Sequence, residues 1–475
     1  MDAINHLHLL MITSIRSFIA LFPLLIFSIT MQAQPKLDLE TIFLEPYFYG
    51  LRPDVRGFSY DSKYLYINWN DSSYSRRSLY QVNLKKPAVE KATADADPFM
   101  NVSPGGKKQV YTRGSDLWIA DVDGKNEVRV TKTEDRESSP LWSPDSKSIA
   151  YRFGDDTWIY HLDGRFEQLS QAENDEVAFL PIHWVLGSKA LVLRQQDRSD
   201  LREVYFPEYN EKFVDPGSSR RGIAKQRLSL FRTDSSESRV LIEGVFWLRS
   251  TSVSLNGRYL AADIIDPDMK RREIQVYDLE TGDAFIALED TTDGWINYSY
   301  ASSGFASKEN VLVYSSEKDG YNHLYQYSLN EKKSRQLSKG DFEVRWWAWR
   351  SASEIIYAAN PTDPGVYHVF KLDLKAGKSE QLTEDEVYRT DFSLSPDKNT
   401  LVYLKSSWNT PGDLYKLNLK RPKSEDQLTE TVPPSFYDFD LITPEYKRIT
   451  SQDGSTKLSL TVLRDAEQSD PKPVV

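Results

Sequence analysis

The sequence predicts an all-β fold, an eight-bladed β-propeller with four antiparallel strands per blade. Three observations carry the prediction. A turn-and-strand motif recurs about eight times, mostly at a propeller-like period of roughly 40–50 residues. Each recurrence holds four short strand signals with hairpin-sized gaps between them. The 475-residue chain is 12% aromatic, with 27 tyrosines and 11 tryptophans, which suits packed strands. Solenoid coils are shorter than this period, and sandwiches do not repeat in this way.

At the N-terminus, Arg16 precedes an apolar run over residues 18–29, and small-residue cleavage fits after Ala33 in Met31-Gln32-Ala33-Gln34. Residues 1–33 are therefore expected to be a signal peptide, the run being short for a spanning helix. No later stretch is apolar enough to span, so no stable membrane span is expected after cleavage. The expected location is periplasmic or secreted. Residues 34–57 read as an N-terminal arm. Its Leu37, Leu39, Ile42, Phe43 and Leu44 predict a short helix or an arm packed on the body.

The propeller is expected over residues 58–430. Its motif is clearest in Leu141-Trp142-Ser143-Pro144-Asp145-Ser146-Lys147-Ser148-Ile149-Ala150-Tyr151. Pro144 presets φ near about −65°, and Asp145 and Ser146 tolerate turn geometry. Ile149, Ala150 and Tyr151 then read as a buried strand. Ser103-Pro104-Gly105-Gly106-Lys107 and Ser395-Pro396-Asp397-Lys398-Asn399 repeat the turn. Looser copies start at Ser59 and Ser254, and weak ones lie over 184–193, 305–314 and 349–357. A second strand type follows in each unit, as in Leu117-Trp118-Ile119-Ala120-Asp121 and Leu414-Tyr415-Lys416-Leu417. The closing strand often ends in Gln-Leu-Thr or Gln-Leu-Ser, at Gln168, Gln336, Gln381 and Gln427.

One unit is over-long. Residues 198–221 intervene between the second and third strands of the fourth unit, and a loop of this length is commonly functional. Its Arg202, Glu203, Tyr205 and Tyr209 are the candidate substrate-binding residues, since charges on an aromatic rim loop suit recognition. After Thr429, Pro433-Pro434 breaks the array and 431–475 reads as a linker followed by a hairpin turning at Gln452-Asp453-Gly454-Ser455. Leu458, Leu460, Val462, Val474 and Val475 make that tail an apolar edge, expected to be poorly ordered or prone to association.

The formal charge of −11 is not clustered and argues against nucleic acid as a partner. The absence of cysteine excludes disulfides and thiolate metal sites. No Gly-x-Ser-x-Gly elbow, His-Glu-x-x-His, P-loop or Rossmann glycine pattern occurs. His161, His183, His323 and His368 fall in separate units without metal-ligand spacing. His323, between a turn and a strand, is expected to hydrogen-bond within its own blade. Glu173, Asp175 and Glu176 read as a solvated acidic loop. No catalytic residue, metal site or cofactor is predicted.

Glu317-Lys318-Asp319-Gly320-Tyr321-Asn322-His323-Leu324-Tyr325, followed by Arg335-Gln336-Leu337-Ser338-Lys339-Gly340-Asp341-Phe342-Glu343-Val344, resembles the propeller of the prolyl oligopeptidase (S9) family of serine peptidases. The nearest branch is that of dipeptidyl peptidase IV. The resemblance runs from about Leu37 to Val475, and the tail resembles the β-hairpin that begins the family's α/β-hydrolase domain. The resemblance implies peptide substrates reaching a channel or rim, and a hydrolase domain docked on one face. The family's Ser, Asp and His belong to that domain, which is missing from this chain, so no catalytic residue carries over. The aminopeptidase branch also places adjacent glutamates before the fourth blade, where this chain reads Glu173-Asn174-Asp175-Glu176 without such a pair. The implied function is a non-catalytic, substrate-gating propeller of an exported peptidase. Two other functions compete: a TolB-like periplasmic binding or scaffold propeller, and a glycosidase-like propeller with a site in its channel.

Acyl transfer needs a nucleophile, a base and an oxyanion hole in one place. The chain purified alone is therefore expected not to hydrolyse peptides or aminoacyl esters. Steady turnover that survives purification to homogeneity and resists serine-directed inhibitors would overturn this.

Overall fold

Each predicted turn closes the hairpin between the first two strands of a sheet. In the computed structural model, eight four-stranded antiparallel sheets follow one another around a ring. They span residues 54–91, 101–129, 137–168, 177–245, 247–291, 303–336, 344–381 and 388–427, here blades 1 to 8. The structure describes residues 37–43, 48–70, 76–93, 100–209, 214–235, 237–306, 310–422, 424–439 and 441–464, without the side chains of 206–220. The expected signal peptide and the terminal Val474 and Val475 lie outside the described residues.

The serine-led turn works through local side-chain bonds. Ser143 Oγ donates to Asp145 Oδ1 at 2.6 Å and accepts from the Ser148 amide at 2.9 Å. Asp145 Oδ1 accepts from the Lys147 amide at 3.1 Å. Ser395 with Asp397, Ser254 with Asn256, and Ser59 with Asp61 repeat this arrangement. The residue after the acidic or amide position is left-handed, with φ of 62° at Ser146 and 58° at Ser62. At Gly257 (φ +71°), a Cβ would stand 2.9 Å from the Leu186 amide nitrogen of the preceding blade, so glycine is needed there. Left-handed serines also clasp neighbouring turns. Ser146 accepts from the Gly105 amide at 2.9 Å, Ser188 from Asp145 at 3.2 Å, and Ser62 from Asp397 at 3.1 Å.

The Gln-Leu-Thr motif extends the sheet beyond its closing strand. Thr429 Oγ1 accepts from the Leu414 amide at 2.9 Å, and Thr383 does so from Val369 at 3.0 Å. Gln427 Nε2 donates to the Thr429 carbonyl at 2.8 Å, which holds the segment in place.

Both faces of a blade are covered by its neighbours, so the middle strands are buried with little alternation. Val311–Ser316 of blade 6 is an example, with five of its six residues buried. Apolar clusters join blade 5 to 6 through Ile274, Val276, Leu312 and Tyr314, and blade 8 to 1 through Leu65, Ile67, Val402 and Leu414. The first strands form the inner ring, where Trp184 Nε1 donates to the Leu141 carbonyl at 3.0 Å and Trp142 Nε1 to Asn101 at 3.1 Å.

Strand direction alternates, which sorts the connections. The serine-led turns lie at one end of the ring, the turn face. The links between second and third strands, and from blade to blade, lie at the other end, the connection face. The helical turn Leu39–Ile42 forms as expected, but it does not pack on the body, since Leu39 and Phe43 are 70% and 79% exposed. The packed part of the arm begins at Phe48, whose ring lies 5.2 Å from Phe436 and 5.5 Å from Phe439.

Ser143 is fully buried, and its loss leaves the buried Ser148 amide without that acceptor. Ser143→Ala is expected to destabilise the protein by about 1–3 kcal/mol. Ser451 makes the same turn in the exposed terminal hairpin, and Ser451→Ala is expected to cost under about 0.5 kcal/mol. Chemical denaturation of the two variants checks the contrast.

Candidate functional site on the connection face

The insertion in blade 4 is a two-stranded hairpin, Arg202–Tyr209 against Val214–Arg221, with Arg202 opposite Arg221 and Tyr209 opposite Val214. It leaves the sheet between its second and third strands, and so stands on the connection face. Arg202, Glu203 and Tyr205 are exposed, while the side chain of Tyr209 lies outside the described residues. Glu203 and Tyr205 share one side of the strand and Arg202 faces the other. A hydrogen bond to the Glu203 carboxylate pushes the Tyr205 phenol up. The base of the insertion meets the acidic loop, where the Arg198 amide donates to the Glu176 carbonyl at 3.0 Å. Glu173 and Asp175 of that loop are exposed, as a solvated loop requires.

The tail joins the same face. Glu445–Thr450 pairs with Lys457–Val462 in a regular hairpin. Arg448 reaches Asp363, in the link between the second and third strands of blade 7, at 3.4 Å. Tyr446, Ile449, Leu458 and Leu460 are exposed. Gly50 brings the incoming arm against this exit. Its φ is +79°, and a Cβ there would stand 2.2 Å from the Thr431 carbonyl oxygen.

A pocket of about 380 Å³ opens between blades 5 and 6, walled by Trp295, Asn297, Asp290, Glu317 and Lys318. Beneath it, Arg272 and Asp263 form a fully buried ion pair at 2.7 Å. Asp290 Oδ2 accepts from Ser316 at 2.7 Å, while its buried Oδ1 has no partner among the described residues. Burial pushes the carboxyls of Asp290 and Glu317 up. Lys318, next to Glu317, lies 3.9 Å from the Tyr325 ring centre.

At the inner rim, first strands carry β-bulges in six of the eight blades, and in blades 1, 5 and 7 the extra residue is an arginine, Arg56, Arg249 and Arg345. The register shifts between Leu248 and Ser250, at Arg249, and between Val344 and Trp346, at Arg345. A bulge re-aims a side chain. Arg249 Nε donates to the Ala301 carbonyl at 2.8 Å, with its guanidinium 4.7 Å from the Tyr298 ring centre. Arg345 Nη1 donates to Tyr388 Oη at 2.5 Å. Burial pulls the Arg345 guanidinium down, but the bond to Tyr388 helps hold it above the usual arginine range. Arg194, whose Nε donates to Gln226 at 2.8 Å, is pushed down by burial.

Sequence reading singled out the insertion and not these arginines. The available signal was a lone arginine inside apolar strand runs, in Trp247-Leu248-Arg249 and in Val344-Arg345-Trp346-Trp347. His323 behaves as expected and bonds within its blade, its Nδ1 lying 2.8 Å from Asp319 Oδ2. Among the described residues, no group of His, Asp or Glu is placed to hold a metal ion.

The sequence model described as the dipeptidyl peptidase IV (DPP IV) N-terminal region matches residues 59–160 and 220–412. Among solved structures, the chain is similar to dipeptidyl peptidase 4 of Porphyromonas gingivalis, at 16% identity and a TM-score of 0.67, over 90% of this chain and 67% of that one. It is also similar to a putative dipeptidyl aminopeptidase IV of Bacteroides ovatus, at 14% identity and a TM-score of 0.62, over 89% of this chain and 66% of that one. The chain thus spans about two thirds of the length of each. At this identity the likeness carries the fold.

Asp290 holds its proton more tightly when folded than when unfolded. The folded state therefore binds more protons, and stability falls as pH rises from the unfolded carboxyl value, about 4, through the raised native value. Asp290→Asn keeps an acceptor for Ser316 and removes this loss. Its thermal midpoint is expected to exceed the wild type's at pH 7 and to converge with it near pH 4. Melting curves at the two pH values check this.

Proposed function

The chain belongs to the dipeptidyl peptidase IV N-terminal-region family, and from that premise we propose that its propeller admits and sorts peptide substrates for an α/β-hydrolase domain docked on the connection face. The observation that carries the reading is the gathering of three additions to the ring, among the described residues, on that face. The blade 4 insertion, the paired arms at Phe48 and Phe436, and the terminal hairpin all stand there. The turn face is closed by short, mutually clasped turns and offers little to a partner. The exposed apolar side chains of the terminal hairpin suit packing against a further sheet. That hairpin supports the peptidase reading over a free-standing binding propeller, which has no use for it.

Peptides would meet the insertion first, through Arg202, Glu203, Tyr205 and Tyr209, and then the inner rim. Dipeptide release would need an ammonium-binding group other than adjacent glutamates, since the loop before blade 4 has none. Export belongs to the same reading and rests on the apolar stretch after Arg16. Among the described residues, no helix is long and apolar enough to cross a membrane.

Hydrogen exchange of this chain with and without a separately produced hydrolase domain of the family tests the docking face. Protection is expected over 445–462 and around Asp363. Protection of the serine-led turns instead, or of neither face, would overturn the reading. Deleting 202–221 is expected to leave the thermal midpoint within about 2 °C, because a rim hairpin adds little to blade packing.

A further inference from the structure

The chain carries 70 acidic and 59 basic side chains, so a half-buried arginine rarely lacks a carboxylate neighbour. Arg258, Arg271, Arg272 and Arg389 all have one. Arg249 and Arg345 do not. Among the described residues, Arg249 donates a hydrogen bond to a carbonyl, and Arg345 bonds to the phenols of Tyr388 and Tyr367. Each guanidinium has five N–H donors, so most remain available on both. Tyrosines fill their surroundings instead. Tyr298 lies against Arg249, while Tyr367 and Tyr388 rings stand 5.3 and 5.4 Å from Arg345. The segment of Tyr298 and Tyr300 crosses from blade 5 to blade 6 between the two arginines.

A half-buried cation without a counter-ion is costly unless something supplies the negative charge. The bulges add a second argument. A bulge interrupts the ladder to redirect one residue, and in three blades that residue is an arginine, Arg56, Arg249 and Arg345, of which the last two flank the Tyr298–Tyr300 segment. A planar fork backed by aromatic rings suits a carboxylate that can accept two bonds.

We propose that Arg249 and Arg345, with Tyr298 and Tyr388, bind the carboxylates of an acidic peptide at the inner rim of the connection face. The substrates sorted by this propeller are then peptides with acidic side chains. Each arginine takes one carboxylate, and the Tyr298–Tyr300 segment spaces the two. The inference rests on the reading of this face as the one that meets substrate.

The test is calorimetric titration of the full chain at low salt with N-acetyl-Glu-Ala-Glu-amide and with its Gln-Ala-Gln counterpart. The acidic peptide is expected to bind at least about tenfold more tightly, as charge-assisted hydrogen bonds imply. Added salt should erode the difference. Arg249→Gln and Arg345→Gln should each reduce acidic-peptide affinity about tenfold and leave the neutral peptide unaffected. Tyr388→Phe, which removes one neutral partner and frees Arg345 to move, should cost about threefold. If either arginine variant fails to fold, the wild-type comparison and the other variants still decide. Equal binding of the two peptides, no binding of the acidic one, or undiminished binding by the double arginine variant would overturn the proposal. Acidic-peptide binding without docking would overturn the proposed function alone. Docking without acidic discrimination would overturn this inference alone.

Discussion

The seam between blade 8 and blade 1 is the contact on which the ring depends. No strand is shared across it, since each of the two sheets is built from consecutive strands. The seam is held by apolar packing of Leu65, Ile67 and Val82 against Val402, Leu404 and Leu414. Polar contacts cross it as well: Ser62 accepts from the Asp397 amide, Lys416 Nζ donates to the Leu84 carbonyl, and Arg52 pairs with Asp391. Closure covers both faces of the first and last sheets. It also forces the incoming and outgoing chain together at one end, which is why Phe48 meets Phe436 there. The position of the incoming arm and the outgoing tail follows from that one seam.

The turn face shows how a short polar motif serves both local and ring structure. Within a turn, serine and aspartate supply acceptors to amides that the hairpin leaves over. Between turns, the left-handed serine presents its hydroxyl to the preceding blade. One tetrapeptide thus sets the strand register and ties adjacent sheets. The same turn closes the terminal hairpin through Ser451 and Asp453, where no neighbour is clasped. Its recurrence there marks it as a hairpin device first and a ring device second.

That economy made the blades legible in the sequence. Serine-led turns, apolar triplets and Gln-Leu-Thr ends all answer to bonds in the structure. The weak fourth copy was harder because its turn uses left-handed Leu186, Gly187 and Ser188 in succession, with no acidic acceptor. The insertion read as a loop because of its length, and its strands hold Pro207 and Pro216, which hide a strand pattern. They lie opposite each other in a two-stranded hairpin, which has only edges and so tolerates proline. The inner-rim arginines were illegible for a different reason. Which residue a bulge redirects depends on the partner strand's register, and no local pattern encodes that.

The two proposed recognition elements on the connection face differ in how firmly they are held. Arg202, Glu203 and Tyr205 stand on a hairpin of two strands, and such a hairpin is marginal without further cover. Arg249 and Arg345 stand on the innermost strands of a closed ring, each anchored by a hydrogen bond across to another segment. Little conformational freedom is left for a ligand to remove at the rim, whereas at the hairpin most of it remains. Binding at the rim can therefore discriminate by charge and geometry. The hairpin can only admit or obstruct, because a contact it makes must also order the hairpin. The proposed sorting of admitted peptides would use both properties, at different radii of the same face.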